Sequence, residues 1–177
     1  MEKKVNKASL KLRQWLDGLK TNGPTTTPQL KPEILTGYKN IAEGAVVSAS
    51  EGDGSTYLND GFLPLFDEGY EYISENGKAT ITINLSKASE VRGLMIYNSK
   101  NANYHFNSIE SIVLSNLNKN YEYGNLIYDS SGYSRNNKDA LDAALILNTY
   151  KKGITTISIT FNENSHIAIP EIVVIGK

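Results

Sequence analysis

Residues 154–176 read ITTISITFNENSHIAIPEIVVIG and decide the fold class of this chain. Apolar and polar residues alternate over residues 154–161, a polar loop follows, and a second apolar run occupies residues 171–175. Alternation with a period of two is typical of a half-buried β-strand. The segment therefore predicts two strands joined by a polar loop near the end of the chain.

The same period of two recurs upstream, in short segments separated by Gly, Asn and Ser turns. ATITINL at residues 79–85 alternates cleanly, whereas VRGLMIY at residues 91–97 is almost continuously apolar, as expected of a central strand. No amphipathic helix separates these segments, so they predict an all-β fold, an antiparallel β-sandwich or jelly roll over residues 40–177, with its first and last strands close together. The predicted strands are residues 45–50, 79–85, 91–97, 109–114, 123–128, 143–147, 154–161 and 171–175. A helical turn over residues 137–147 is the alternative at that one position.

The first 39 residues follow a different pattern. Apolar residues recur three or four positions apart over residues 1–20, which predicts an N-terminal amphipathic helix. Its apolar stripe consists of Val5, Ala8, Leu12, Trp15 or Leu16, and Leu19. Residues 21–39 are rich in Pro and Thr and predict a linker. The stripe must pack against the β-sandwich or against a separate domain.

Composition excludes several classes of function. A length of 177 residues suits one domain with a short appendage. The net charge of −1 provides no field to attract nucleic acid, and the absence of Cys excludes disulfides and Cys-based zinc sites. Apolar runs are far shorter than the roughly 20 residues that span a bilayer. No apolar segment follows Met1-Glu2-Lys3-Lys4, so we expect no signal peptide in this chain.

Catalytic motifs are missing from the sequence. His105 and His166 do not have the spacing of a zinc protease, and no nucleophile elbow or P-loop occurs. A glycosidase needs two carboxylates roughly 5 to 10 Å apart. The acidic residues between Asp67 and Glu75 crowd one stretch, which is more typical of solvated charge or of a cation site. We therefore predict that the chain is not an enzyme, and a small glycan-active enzyme is the least favoured alternative.

Three segments, taken in order, carry a resemblance to a known family. They are the run from Asn40-Ile41-Ala42 to VVSAS at residues 46–50, the turn Asn59-Asp60-Gly61, and the closing strand that starts at Glu171. Together they resemble the galactose-binding-like superfamily, which includes discoidin or coagulation-factor C-type domains and many bacterial carbohydrate-binding modules. The resemblance implies a non-catalytic, carbohydrate-binding accessory module of a larger secreted or surface protein that acts on glycans, and hence an extracellular or cell-surface location. A structural module that braces a neighbouring catalytic domain or another partner is the alternative.

The resemblance also implies a cofactor. In this superfamily the Asp of the Asp-Gly turn and a Glu on the closing strand often bind a structural Ca²⁺, and the matching residues are Asp60 and Glu171. Calcium accepts such oxygen ligands in flexible geometry. Many relatives place a Thr ligand and a packing Trp after the turn, whereas this chain continues FLPLF at residues 62–66.

Two segments combine aromatic rings with polar donors, as a sugar site requires. Asn101, Tyr104 and His105 lie in the first segment, and Tyr133 and Arg135 lie in the second. We predict these five residues as ligand-binding residues of a glycan or monosaccharide site. The alternative is an ordinary polar loop in each case. A further arginine, inside the strand at residues 91–97, is either a paired structural cation or a ligand group.

Overall fold

The structure is a computed structural model, and it describes residues 37–61, 70–99, 101–128 and 144–177. The predicted N-terminal helix and the linker as far as residue 36 lie outside the described residues. Nine strands are present in the described part: β1 Lys39–Asn40, β2 Val46–Ala49, β3 Tyr72–Ser74, β4 Lys78–Tyr97, β5 Ser108–Ser115, β6 Asn120–Ile127, β7 Ala144–Asn162, β8 Ile167–Ile169 and β9 Ile172–Gly176. Two short 3-10 helices accompany them, Ser55–Tyr57 and Ala102–Tyr104.

Every strand pairing that the structure describes is antiparallel. One sheet has the order β1-β9-β4-β7-β5-β6, with β2 added to β4, and a second sheet pairs β3 with β8. β1 lies beside the last strand, since Lys39 pairs with Gly176, whereas the predicted first strand at residues 45–50 is β2 and pairs with β4. The antiparallel all-β architecture predicted from the alternating pattern is confirmed.

The two longest strands form the centre of the fold. β4 and β7 pair from Lys78 opposite Asn162 to Tyr97 opposite Ala144, with register shifts between Asn84 and Gly93. The sequence predicted each of these strands as two shorter ones, because polar residues interrupt the alternation. Such residues are accommodated at β-bulges, which bend a strand without ending it. Both halves of each long strand contribute to a single hydrophobic core.

The sequence did not predict β1, β3 or β8. These strands have only two or three residues, which is too short for a period of two to be recognised. The core itself follows the alternation and combines β4, β5, β7 and β9. Its central members include Ile81, Ile83, Leu94, Ile96, Ile112, Leu114, Ile157, Ile159 and Val174. Among the residues with described coordinates, no helix is long and apolar enough to cross a membrane.

Truncation of Ile159 should test this core. Ile159 is fully buried, so Ile159→Ala should lower the free energy of unfolding by about 2–5 kcal/mol through lost burial and a residual cavity. Ile127 is 77% exposed, and Ile127→Ala should change stability by less than about 0.5 kcal/mol. Urea unfolding of both variants measures the difference. Equal losses of stability in the two variants would contradict the assignment of Ile159 to the core and of Ile127 to the surface.

Candidate functional site

A buried asparagine shapes the loop that carries the predicted aromatic residues. We call residues 98–99 and 101–107, between β4 and β5, the Tyr104 loop. Asn98 is fully buried; its Oδ1 accepts from the Phe106 amide at 2.9 Å and its Nδ2 donates to the Phe106 carbonyl at 3.1 Å. These two hydrogen bonds satisfy both backbone groups of Phe106 and hold the two ends of the loop together. Phe106, also fully buried, packs edge-on against Phe161 with ring centroids 5.3 Å apart.

The next residue ties the Tyr104 loop to the smaller sheet. The Ser99 amide donates to the Ala168 carbonyl on β8 at 3.1 Å. The Ser99 hydroxyl donates to Glu71 Oε2 at 2.8 Å and accepts from the Asn101 amide at 3.0 Å. Glu71 is buried, so it serves as a structural acceptor and not as the solvated surface charge that the acidic run predicted. Glu75, from the same run, is exposed, and residues 67–68 lie outside the described part.

The first three predicted ligand residues occupy this anchored loop. Asn101 Oδ1 accepts from the Asn103 amide at 3.0 Å and caps the 3-10 helix that ends at Tyr104. His105 Nε2 lies 2.7 Å from the Ser99 carbonyl. Because a carbonyl only accepts, Nε2 carries the hydrogen, and Nδ1 is the ring nitrogen left for a ligand. Asn101 and His105 therefore shape the loop as well as bordering its surface.

An unpredicted histidine lies next to Tyr104. The rings of Tyr104 and His166 are 5.9 Å apart at an interplanar angle of 73°. His166 is exposed, in the turn between β7 and β8, and Tyr104 is partly exposed. Their proximity depends on the pairing of distant strands, so local sequence offered only the polar character of the turn. A second aromatic pair, Tyr57 with Tyr70 at 5.7 Å, was missed for the same reason.

Tyr133 and Arg135 lie outside the described residues, so their approach to Tyr104 stays a prediction. The chain does enter that segment beside the Tyr104 loop. The Tyr128 amide donates to the Asn107 carbonyl at 2.9 Å, and the Tyr128 ring packs edge-on against His105 at 6.2 Å.

Arg92 belongs to another region. Its guanidinium carbon lies 4.7 Å from the centre of the Tyr150 ring, and its Nε is buried without a hydrogen-bond partner in the described structure. Arg92 lies five positions before Tyr97 on β4, about 16 Å away at the usual rise of a strand. Packing on Tyr150 suits a structural role, and the choice between a paired structural cation and a ligand group stays a prediction.

The predicted metal residues are close to each other at the start of β9. Glu171 is fully buried, and its Oε2 accepts from the Gly61 amide at 3.2 Å. Its Oε1 has no hydrogen-bond partner in the part of the chain that is described. Burial, together with the charge of Asp60, raises the pKa of Glu171 to about 10. Gly61 has φ 82°, a left-handed conformation that favours glycine.

These residues suit a hard cation in part. An unpartnered buried carboxylate oxygen and a second carboxylate nearby are ligands that calcium prefers. Within the described ranges, however, no three His, Cys, Asp or Glu side chains form a group that could hold a metal by themselves. Calcium would therefore also need backbone carbonyl oxygens, which it accepts. Asp60 and Glu171 would hold the ion, which would supply a positive charge to a buried carboxylate and no reaction chemistry.

No protein-family model and no curated protein matches this chain. Solved structures do match. The lectin domain of lectinolysin, complexed with the Lewis b antigen, is 22% identical with a TM-score of 0.55, and the match covers 77% of this chain and 95% of that one. A fucose-binding module from Streptococcus pneumoniae is 20% identical with a TM-score of 0.58, covering 77% and 96%.

The family 32 carbohydrate-binding module of NanJ from Clostridium perfringens, in complex with galactose, is 14% identical. Its TM-score is 0.60, and the match covers 79% of this chain and 99% of that one. Likeness at these identities shows the fold. The chain shares the fold of these carbohydrate-binding modules, so the fold that the resemblance over residues 40–176 implied is confirmed.

Removal of the Asn98 side chain should destabilise the protein. Asn98→Ala leaves the amide and the carbonyl of buried Phe106 without partners, at a cost of about 1–3 kcal/mol for each group. Asn103→Ala, in the same loop but exposed, is the matched control and should be nearly neutral. Urea unfolding measures stability, and hydrogen exchange at the Phe106 amide should accelerate only in Asn98→Ala. Unchanged exchange would show that this amide is protected by something else.

Proposed function

We propose that this chain is a non-catalytic carbohydrate-binding module and that it binds a sugar on the surface formed by the Tyr104 loop and His166. The observation that carries the proposal is the edge-on pair of Tyr104 and His166 on an exposed surface. Aromatic faces pack against the C–H faces of sugars, while amide and imidazole groups bind hydroxyls. Asn101 and His105 border the pair, and Tyr133 and Arg135 are proposed to complete the site.

Rigidity supports the proposal. Weak ligands gain affinity from groups that are already ordered before binding. The Tyr104 loop is fastened by Asn98 and Ser99, both buried and both hydrogen-bonded to backbone or to Glu71. The aromatic residues of the loop are therefore held in place before a ligand binds.

The carboxylates around this surface favour binding over catalysis. Glu71 accepts from Ser99, and Glu163 accepts from the amides of Asn107 and Ser108 at 2.8 Å each. Both are committed to structural hydrogen bonds, which do not suit the paired acid and base of a glycosidase.

The ligand class follows from the relatives. Structures of the same fold are described in complex with Lewis b and with galactose, and one is described as a fucose-binding module, so we propose a terminal fucose or galactose unit. A shallow site of one sugar should bind with a Kd of about 0.1–1 mM, or about −4 to −5.5 kcal/mol. An accessory role within an extracellular or surface protein is part of the same proposal.

Substitution of Tyr104 or His166 should weaken sugar binding. Tyr104→Ala and His166→Ala should each raise the Kd for fucose or galactose about ten-fold, or ~1.4 kcal/mol, because the ring face is lost. Tyr150→Ala is the matched control, since Tyr150 is 46% exposed but packs on Arg92. Chemical-shift titration measures all three. Perturbations confined to other loops would reject these residues, and no response to any sugar would favour the bracing module.

We also propose that Asp60 and Glu171 hold a structural Ca²⁺. An acid with a raised pKa in the folded state stabilises the protein below its unfolded pKa of about 4.5. That contribution is lost progressively as pH rises toward about 10. A bound cation would reverse the loss, because it would favour the ionised carboxylate.

Glu171→Gln separates the two effects. In chelator, the melting temperature of the unmodified protein should fall between pH 5 and pH 8, whereas the variant should lack most of this fall. Added calcium should raise the melting temperature of the unmodified protein only. At a calcium concentration of one hundred times the Kd, the free energy of unfolding should increase by about 2.7 kcal/mol. Asp60→Ala should also lose the rise, and Glu122→Gln, exposed on β6, should keep it. Identical melting in calcium and in chelator would reject the ion.

A further inference from the structure

A groove opens on the solvent-facing side of β5, β6 and β7. Its volume is about 400 Å³, within the range of roughly 300–1,000 Å³ that is typical of ligand pockets. We call it the Asn125 groove. Its lining residues are Ser108, Ile109, Glu110, Asn125, Ile127 and Asn162.

At the groove, the paired strands β5 and β6 both switch which of their side chains point to the core. Side chains an odd number of positions apart normally point to opposite faces of a strand. Ile109 and Ile112 are three positions apart, yet both are buried. Their partners are Leu126 and Tyr123, which also pack against the core. At this change of face Asn125 has φ 50°, the only positive φ of a non-glycine residue in the described chain.

A left-handed residue that is not glycine costs about 1–2 kcal/mol, although Asn tolerates this conformation better than most residues do. Unfavourable backbone conformations of this kind cluster at ligand-binding positions. Glu110 and Asn125 are both exposed at this point and both line the groove.

The groups in the groove suit a neutral sugar. Asn162 Nδ2 donates to Glu110 Oε1 at 3.1 Å, so an amide and a carboxylate are already ordered for pairs of neighbouring hydroxyls. The Ile127 side chain, 77% exposed, offers an apolar surface for C–H groups. Among the described residues, no lysine or arginine lines the groove, and Glu110 would repel an anionic sugar.

Glu163 connects the groove with the Tyr104 loop. Its Oε1 accepts from the amides of Asn107 and Ser108; Asn107 ends the loop, and Ser108 lines the groove. Asn162, on the other lining strand, directly precedes Glu163, and His166 follows three residues later. Two of the three strands that line the groove, β5 and β7, therefore continue directly into the segments that carry Tyr104 and His166.

From this geometry we propose that the Asn125 groove is a second glycan subsite. It binds a neutral internal unit of an oligosaccharide whose terminal sugar contacts Tyr104 and His166. The proposal rests on the carbohydrate-binding function proposed above and adds to it a preference for oligosaccharides over monosaccharides.

Two variants test the subsite without disturbing the terminal site. Asn125→Gly keeps a backbone that accepts positive φ and removes only the amide. Asn162→Ala removes the other amide from an exposed position. Asn118→Ala, an exposed asparagine in the turn at the far end of the same hairpin, is the matched control.

Calorimetric titration compares fucose and galactose with the Lewis b oligosaccharide and with the disaccharide GalNAc-β-1,3-galactose. The unmodified protein should bind at least one of the two oligosaccharides about ten-fold tighter than the better monosaccharide. Asn125→Gly and Asn162→Ala should abolish this gain and leave monosaccharide affinity unchanged, whereas Asn118→Ala should keep both. Melting curves verify that all three variants are folded.

The alternative outcomes are distinct. Monosaccharide binding without a gain for either oligosaccharide, or a gain that survives both variants, would overturn the subsite alone. Binding of no sugar at all would overturn the proposed function together with the subsite. A protein partner on Ile127 would leave every sugar affinity unchanged in the groove variants, which also overturns the subsite.

Discussion

The antiparallel ladder between β4 and β7 is the interaction on which the rest of the structure depends. It runs through register shifts that bend both strands, so two long strands supply four separate segments of the core. β2 and β9 attach to β4, and β5 attaches to β7. Because sheet register also decides which side chains face inward, this one pairing sets where the chain leaves the ends of β4 and β7. The loop that follows β4 and the turn that follows β7 carry Tyr104 and His166.

Buried polar groups determine the conformation of the Tyr104 loop. Asn98, Ser99 and Glu71 are removed from water, and a buried polar group is costly unless it is hydrogen-bonded. Their partners leave the Tyr104 loop one arrangement that satisfies them. The loop is therefore ordered by the same requirement that orders the core, although its outer surface is polar. This is the physical basis for proposing that the sugar site is already formed before a weak ligand binds.

Energetically unfavourable features are concentrated near the candidate sites. The Glu171 carboxylate is buried against a second acid, and Asn125 adopts a conformation that few side chains favour. The apolar core shows neither feature. Natural proteins depart from local structural preferences mainly at functional positions, where other interactions compensate for them. A cation bound at Glu171 and a sugar bound at Asn125 would each be an interaction that compensates for the unfavourable feature at that position.

The sequence by itself determined the fold class, the antiparallel strands of the core and the proximity of Glu171 to the Asp60 turn. A period of two is a local property, and the order of the motifs supplied the resemblance that implied the fold and the pairing of Asp60 with Glu171. It also indicated the Tyr104 loop, because aromatic and amide residues are adjacent there. Only the tertiary structure decided the continuity of β4 and β7, the short strands β3 and β8, the contact of Tyr104 with His166, and the groove at Asn125. Each of these depends on which distant strands pair and in which register, and pairing is fixed by the burial of the whole core rather than by any local stretch of residues.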